Sequence, residues 1–509
     1  MPPLQVAELL QRLPLELGPG AASRWRALAG LTLSGIASDS RRVRPGFLFA
    51  ALPGRAARSG DHPRPALDGR SFIAEAVANG AVAVLAPSGT TWPPGVPPRP
   101  LIEDTEPRRR LAQLAAAFAG PAPRTIAAIT GTNGKTSTVE FLRQLWTMAG
   151  DPAASLGTLG LITRDSRTPG ALTTPDPVAL AETMTSLARS GIARVAIEAS
   201  SHGLDQFRLD GLRLGAAGFS SFSRDHLDYH HDMRAYRAAK LRLFDELLPA
   251  GAPVIASAGL DRITLAALAD IARRRRLRLE TVGEGGSLLR LLHATPVPEG
   301  QHLTLADREI LLPLPGRFQA ENALLAAGLA LLLNTGNALE NLTRLRPVRG
   351  RLERAAELGN GAVAYVDYAH TPDAITNLLA ALRPHTRGRL LIVFGAGGDR
   401  DPGKRAEMGR AAECGADRVF VTDDNPRTED PALIRRAILA GCPGATEIAG
   451  RRDAIAAALS ELRAGDVLAV AGKGHEPGQI IGNRVLPFDD LAVIRHLTGE
   501  QSGQGRIGP

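Results

Sequence analysis

Short apolar runs recur along the chain, and most stop abruptly in clusters of Gly, Asp, His, Lys or Arg. In the middle of the chain they are RTIAAIT ending at Thr130, ARVAIEAS ending at Ser200, GAAGFSSF ending at Phe222 and APVIASA ending at Ala258. Nearer the end, AVAYVDYAH reaches His370, RLLIVFGAGGDRD reaches Asp401, DRVFVTDDNPR reaches Arg427 and DVLAVAGKGHE reaches Glu476. Runs that are nearly continuous in apolar residues fit strands buried on both faces. Helical stretches such as TSTVEFLRQLWTMAG, Thr136 to Gly150, alternate with them, which predicts parallel sheets with helical crossovers. In such sheets ligands bind beyond the carboxyl ends of the strands, so the chemistry is expected where the runs stop.

Two Pro/Gly/Arg-rich stretches, Pro87 to Arg110 and Arg344 to Gly350, read as seams. They divide the chain into three α/β segments, 1–108, 109–346 and 347–509: a small N-terminal domain, a central parallel-sheet domain with a phosphate loop, and a C-terminal Rossmann-like domain. A length of 509 residues suits about three domains at ~150 residues each. In the first segment an Arg/Gly/Pro/Asp loop, Gly54 to Arg70, separates GFLFAAL from AVAVLA, and a frayed tail is expected after Gly499. No run of apolar residues is long enough to span a membrane. The first residues carry acidic groups and lack the basic start and apolar run of a signal peptide. The cysteines are Cys414 and Cys442 alone, too few for a disulfide framework, so a reduced, cytoplasmic protein is expected. A monomer is the further expectation, though no residue pattern specifies it.

The net charge is +8. Nucleic-acid binding is disfavoured, because the basic residues are spread along the chain and aromatics make up only 4%. Anionic substrates suit a mildly positive field better. Of the 60 Lys+Arg residues only four are lysine: Lys135, Lys240, Lys404 and Lys473. A chain that uses arginine for generic positive charge marks these positions as needing a compact ammonium or an amine able to lose its proton.

RTIAAIT leads into Gly131, Thr132, Asn133, Gly134, Lys135, Thr136 and Ser137, followed by a helix. Backbone N–H groups of such a loop cradle phosphates, the lysine reaches the terminal phosphates, and the threonine hydroxyl can bind Mg²⁺. Ile129 stands where the general phosphate loop has its first glycine, so the loop is a compact form. Glu198, and the cluster Ser223 to His230 containing Asp225, His226 and Asp228, follow two other strands and suggest a Mg²⁺ site. Zinc held by His226 and His230 is the alternative. In the last segment Gly398 to Asp401, Asp424 to Arg427 and Gly472 to Glu476 combine carboxylates with guanidiniums, which suits a zwitterionic substrate.

The compact loop, the D-H-x-D cluster followed by A-A-K at Lys240, and the later motifs in this order resemble the Mur ligases, a family of ATP-dependent amide-forming ligases related to folylpolyglutamate synthase. The resemblance covers nearly the whole chain. It implies that Gly131 to Ser137, Asn322, Arg351 and Asp367 bind ATP, with Asn322 favoured over Gln319 in the motif that begins at Gly316. It implies that Thr136, Glu198, His226 and a carbamylated Lys240 hold Mg²⁺, and that Lys135, Lys240, His226 and His370 serve catalysis. Ser40 within Asp39-Ser40-Arg41, Thr173, Thr174, Ser200, Gln206 and Arg208 match positions that bind UDP-N-acetylmuramoyl-L-alanyl-D-glutamate. Arg400, Asp424, Asn425, Pro426, Arg427, Gly472 and Glu476 resemble the set that takes meso-diaminopimelate, and Arg427 departs from the lysine-adding pattern. The implied reaction passes through an acyl phosphate shielded by closure of the third domain. No role is expected for Lys404 beyond phosphate or carboxylate contact. A lysine-adding or folylpolyglutamate ligase and a nucleotide-binding switch are the rival readings.

Overall fold

The computed structural model describes residues 3–13, 25–54, 58–59, 62–63, 68–170 and 172–499. Most of the loop Ala57 to Leu67 and the tail beyond Gly499 lie outside the described residues.

Among the described residues three sheets of four or more strands follow one another along the chain, beside three two-stranded ones. The first has four parallel strands in chain order, Gly35–Ala37, Phe47–Ala50, Ala81–Pro87 and Leu101–Asp104. Helix Pro107–Ala119 buries Leu111, Leu114 and Phe118 in the same cluster as Leu48 and Leu85, and Val178 and Ala181 of helix Pro177–Arg189 join it. The seam expected after residue 108 therefore falls inside the first turn of a helix that packs on both sides of it. Pro107 at the first helical position, where a missing N–H costs nothing, explains why the helix begins there.

The second sheet has eleven strands. Its centre is parallel: Ala153–Gly157, Arg194–Glu198, Thr125–Thr130, Ala216–Phe219, Pro253–Ser257 and Arg278–Gly283, side by side in that order. Antiparallel pairings add Gly160–Ile162 and Arg167–Thr168 on one side; on the other Leu289–Val297 joins in parallel, and Gly300–Leu305 and Glu309–Leu312 follow antiparallel. The expected parallel order thus holds where strands are buried on both faces. The outer strands alternate in burial, so one face meets water and short hairpin connections suffice. Helices Lys135–Met148 and Arg317–Leu332 cover one face, and Pro177–Arg189, Met233–Glu246 and Arg262–Arg275 the other. From Thr125–Thr130 the chain builds first to one side and then to the other, which opens a crevice at that strand's carboxyl end.

The third sheet runs Glu353–Glu357, Val363–Asp367, Val467–Ala471, Leu390–Phe394, Arg418–Val421 and Thr446–Glu447, parallel except for its first, edge strand. Helices Pro372–Leu382, Lys404–Gly415 and Pro431–Leu439 pack on one face, Arg451–Ser460 and Asp490–Thr498 on the other. Among the described residues no helix is long and apolar enough to cross a membrane.

Candidate active site

The phosphate loop leaves the carboxyl end of Thr125–Thr130 and enters helix Lys135–Met148. Gly134 sits at φ +85°, and a Cβ there would collide with Asn322 Oδ1, so glycine is what lets helix Arg317–Leu332 close on the loop. The next strand's end clamps Asn133: its N–H donates to Ser221 Oγ at 2.9 Å, and Ser220 Oγ donates to its carbonyl at 2.5 Å. Lys135 Nζ folds back onto the carbonyls of Gly131 and Thr132 at 2.9 and 2.7 Å. Lys240 Nζ, 1% exposed, donates to the Gly131 carbonyl at 2.6 Å. Burial first, and then the charge of Lys135, hold the Lys240 amine well below the usual lysine range.

A second group gathers beside the loop. Glu198, 1% exposed, accepts from the Thr158 N–H at 2.8 Å and from its hydroxyl at 3.1 Å. Thr158 Oγ1 lies 3.1 Å from Thr173 Oγ1, and Thr174 Oγ1 lies 3.0 Å from Ser200 Oγ. Arg208 donates to the Thr174 carbonyl at 2.6 Å and to Gln206 Oε1 at 2.8 Å. Thr173, Thr174, Ser200, Gln206 and Arg208 therefore form one polar surface. Ser40 stays in the N-terminal sheet domain, where its hydroxyl donates to Glu75 Oε2 at 2.7 Å. Neighbouring Asp39 caps its own short turn and pairs with Arg41 at 2.7 Å.

The residues fit Mg²⁺ on one specific ground. Among the described residues Glu198 makes no direct ion pair and the hydrogen-bond donors on its carboxylate are neutral, so this buried group beside the phosphate loop meets positive charge only at longer range, from Lys135. Thr136 supplies a second hard oxygen, and Lys240 would supply a third as a carbamate. His226 lies at the start of the short helix Leu227–His230 with φ +54° and its Nε2 3.4 Å from Asp225 Oδ2. Among the described residues no three His, Cys, Asp or Glu side chains converge as a metal site, which leaves zinc at His226 and His230 without a third ligand.

The third domain completes the cleft. Arg351 Nη2 donates to the Thr136 hydroxyl at 3.0 Å, and its guanidinium stacks on Tyr368 at 4.4 Å. Asp373 Oδ2 accepts from Asn133 at 3.3 Å and from Ser223 at 3.2 Å. Asp367 accepts from the Leu352 N–H at 2.6 Å, and burial pushes its carboxyl pKa up. Asn133, Asn322, Arg351, Asp367 and Tyr368 line a cavity of about 210 Å³ against the loop. Gln319 lies behind it, donating to the Arg351 carbonyl at 3.2 Å.

Tyr368 also lines a second cavity, of about 110 Å³, where Arg400, Asp424, Asn425, Arg427, Gly472 and Glu476 meet Asp225, His226 and His370. Pro426 is not among the lining residues; its carbonyl lies close against Gly398. Arg427, at φ +53°, donates to the Gly398 carbonyl at 2.8 Å. Glu476 Oε2 accepts from Asn425 at 2.8 Å and from Lys473 at 3.1 Å.

The sequence placed Asp225 in a metal-site cluster but did not foresee its partners from the third domain. Asp225 faces His370 Nε2 and Lys404 Nζ, each at 3.8 Å and each from the third domain. Burial works to raise its pKa, but His226, His370 and Lys404 hold the carboxyl well below the usual range. The rarity of lysine pointed to Lys404 without naming a partner. Tyr368 lay inside the motif that runs from Asp367 to Pro372 but was given no role of its own, and Thr158 carried no distinguishing signal in the sequence.

The middle of the chain, residues 129–330, matches the Mur ligase middle domain, and residues 350–474 match the Mur ligase glutamate ligase domain. The chain is 50% identical over 480 residues to the UDP-N-acetylmuramoyl-L-alanyl-D-glutamate--2,6-diaminopimelate ligase of Caulobacter vibrioides, covering 92% of this chain and 96% of that protein. It is also 50% identical over 483 residues to the ligase of the same name from Bradyrhizobium diazoefficiens, covering 92% and 95%. A solved structure of a UDP-N-acetylmuramoyl-L-alanyl-D-glutamate--2,6-diaminopimelate ligase superposes with a TM-score of 0.65 at 30% identity, covering 97% of this chain and 99% of that one. A phosphate loop met by a third domain, family matches over both domains and identity along almost the full length agree: the chain belongs to the Mur ligase family.

Proposed function

We propose that the enzyme forms an amide between the D-glutamyl side-chain carboxylate of UDP-N-acetylmuramoyl-L-alanyl-D-glutamate and an amine of meso-2,6-diaminopimelate, at the expense of ATP, in peptidoglycan precursor synthesis. One observation carries the choice of amine: a cavity of about 110 Å³ that mixes two arginines with acidic groups and shares Tyr368 with the cleft over the phosphate loop. A molecule with an amino-acid head at each end suits that charge pattern, because one head reacts while the other is gripped.

A carboxylate is a poor electrophile. The glutamyl oxygen attacks the γ-phosphorus of ATP, the bond to ADP breaks, and an acyl phosphate results. The diaminopimelate amine then attacks the acyl carbon, phosphate leaves, and the nitrogen gives up a proton. Lys135 and Arg351 offset the charge on the transferring phosphoryl group. Thr136, Glu198, His226 and Lys240, the last as a carbamate, would hold Mg²⁺, which would further neutralise phosphate charge. Thr173, Thr174, Ser200, Gln206 and Arg208 position the glutamyl arm, and Ser40 contacts the uridine-bearing end. Arg400 and Arg427 take the distal carboxylate in charge-assisted pairs, with Asp424 and Glu476 for the distal ammonium. His370, Asp367 and Asn322 shape the cleft when the third domain covers it, which keeps water from the acyl phosphate.

Mass spectrometry of the product made from the UDP-dipeptide, ATP and Mg²⁺ with diaminopimelate, lysine or glutamate tests the assignment. The tripeptide conjugate is expected with diaminopimelate; a conjugate formed equally well with lysine refutes the specificity.

A further inference from the structure

Lys473 is fully buried, and its side chain is absent from the cavity wall that its neighbours Gly472 and Glu476 help to form. Its ammonium makes two bonds, both 3.1 Å, to Asn425 Oδ1 and to Glu476 Oε2. Asn425 Oδ1 accepts a second hydrogen bond, from the Ile480 N–H at 2.9 Å. Two donors on that oxygen fix which way the amide faces, so Asn425 Nδ2 is turned to Glu476 Oε2, at 2.8 Å. Lysine, asparagine and glutamate thus form a closed triangle behind the wall.

The turn that carries this lysine packs closely on both sides of it. Gly472 has φ +111° and Gly474 φ +55°; a Cβ on the first would strike Asp424 Oδ2 and on the second Tyr368. The chain uses arginine at 56 of its 60 basic positions, counting four lysines. A guanidinium is too large and too flat for two acceptors converging on one buried point, whereas an ammonium fits them.

We propose that Lys473 is a positioning residue that sets amine-substrate affinity: it holds Asn425 and Glu476 in the geometry that receives the distal head of the amino acid, without touching that substrate. The proposal rests on the reading of this cavity as the diaminopimelate site. Lys473 and Asn425 both donate to the same Glu476 oxygen, Oε2.

The test compares wild type, Lys473→Met, Glu476→Gln and the double variant in steady-state assays with ATP, the UDP-dipeptide and meso-diaminopimelate. Lys473→Met is expected to raise the diaminopimelate KM about 30-fold or more, as when one partner of a buried, hydrogen-bonded charge pair is removed. The KM values for ATP and the UDP-dipeptide are expected to stay within about twofold, and the double variant to be no worse than Glu476→Gln, because the two residues act as one unit. Additive losses, an unchanged diaminopimelate KM, or a parallel rise for ATP overturn the proposal. Lys473→Gln, which keeps a donor, replaces Lys473→Met if the latter does not fold; if neither folds, the lysine is structural and the proposal fails. Arg427→Ala separates the two readings. If it raises the diaminopimelate KM and Lys473→Met does not, only the role of Lys473 is lost. If wild type makes no diaminopimelate conjugate, the assignment of the cavity itself is wrong.

Discussion

The Nζ atoms of Lys135 and Lys240 share one acceptor, the carbonyl oxygen of Gly131, at 2.9 and 2.6 Å. Two ammonium groups on one buried oxygen repel each other in a medium that already disfavours charge. Lys240 yields its proton more easily, since burial and the Lys135 charge both lower its pKa. A neutral amine is what carbamylation by CO₂ requires, and an arginine cannot supply one.

Lys240→Arg is accordingly expected to lower kcat by about 10²-fold or more, the scale of losing a group that stabilises developing charge. Lys240→Ala is expected to be equally poor and to recover part of its activity with a short carboxylic acid, which replaces the missing carboxylate oxygens. A fully active arginine variant excludes the carbamate role.

The same lysine predicts a pH effect on stability in buffer free of CO₂. Its folded pKa lies below the unfolded value, so the unfolded chain binds the extra proton. Its contribution therefore favours the folded state above the unfolded pKa of 10.5 and is lost as pH falls towards the folded value. Lys240→Met removes that penalty. Its melting temperature at neutral pH is expected to equal or exceed that of wild type, with a flatter pH dependence on the alkaline side, as read by calorimetry.

Arg351→Ala tests the contact between the third domain and the phosphate loop. The lost bond to Thr136 is charge-assisted and worth about 1.5–3 kcal/mol, so kcat/KM for ATP is expected to fall about tenfold to a hundredfold. Circular dichroism should show an unchanged fold, since Arg351 belongs to no apolar cluster.

Arg427→Ala is expected to raise the meso-diaminopimelate KM about 30-fold or more while the ATP KM moves less than about twofold. Equal losses for both substrates, in the same kinetic series, count against a grip on the distal carboxylate.

Gly134→Ala places a Cβ against Asn322 Oδ1 and forces a φ of +85° on alanine. Strain of about 1–3 kcal/mol is expected. Isothermal titration should show weakened ATP binding in protein that still melts cooperatively.

The buried-strand runs told more than the existence of strands. Parallel strands all end on one edge, so the loops carrying Arg400, Asp424 to Arg427 and Gly472 to Glu476 had to gather at one side of the third sheet. Their meeting in a single cavity follows from that rule. The alternating outer strands of the middle sheet were harder to read, because short half-exposed strands give a weak signal between stronger neighbours. Pro426 shows a further limit: a residue inside a recognisable motif need not line the cavity that its neighbours form.

From the amino-acid sequence alone came the three-part α/β organisation, the compact phosphate loop and the four lysines as points of special chemistry, because apolar periodicity, glycine placement and composition are local properties. Tertiary structure decided the pairings. Asp225 meets His370 and Lys404 across a domain boundary, Arg351 reaches Thr136, and Lys240 lands on the carbonyl that Lys135 already uses. Such contacts depend on how whole sheets are set against each other, and a chain's local preferences carry no measure of that distance.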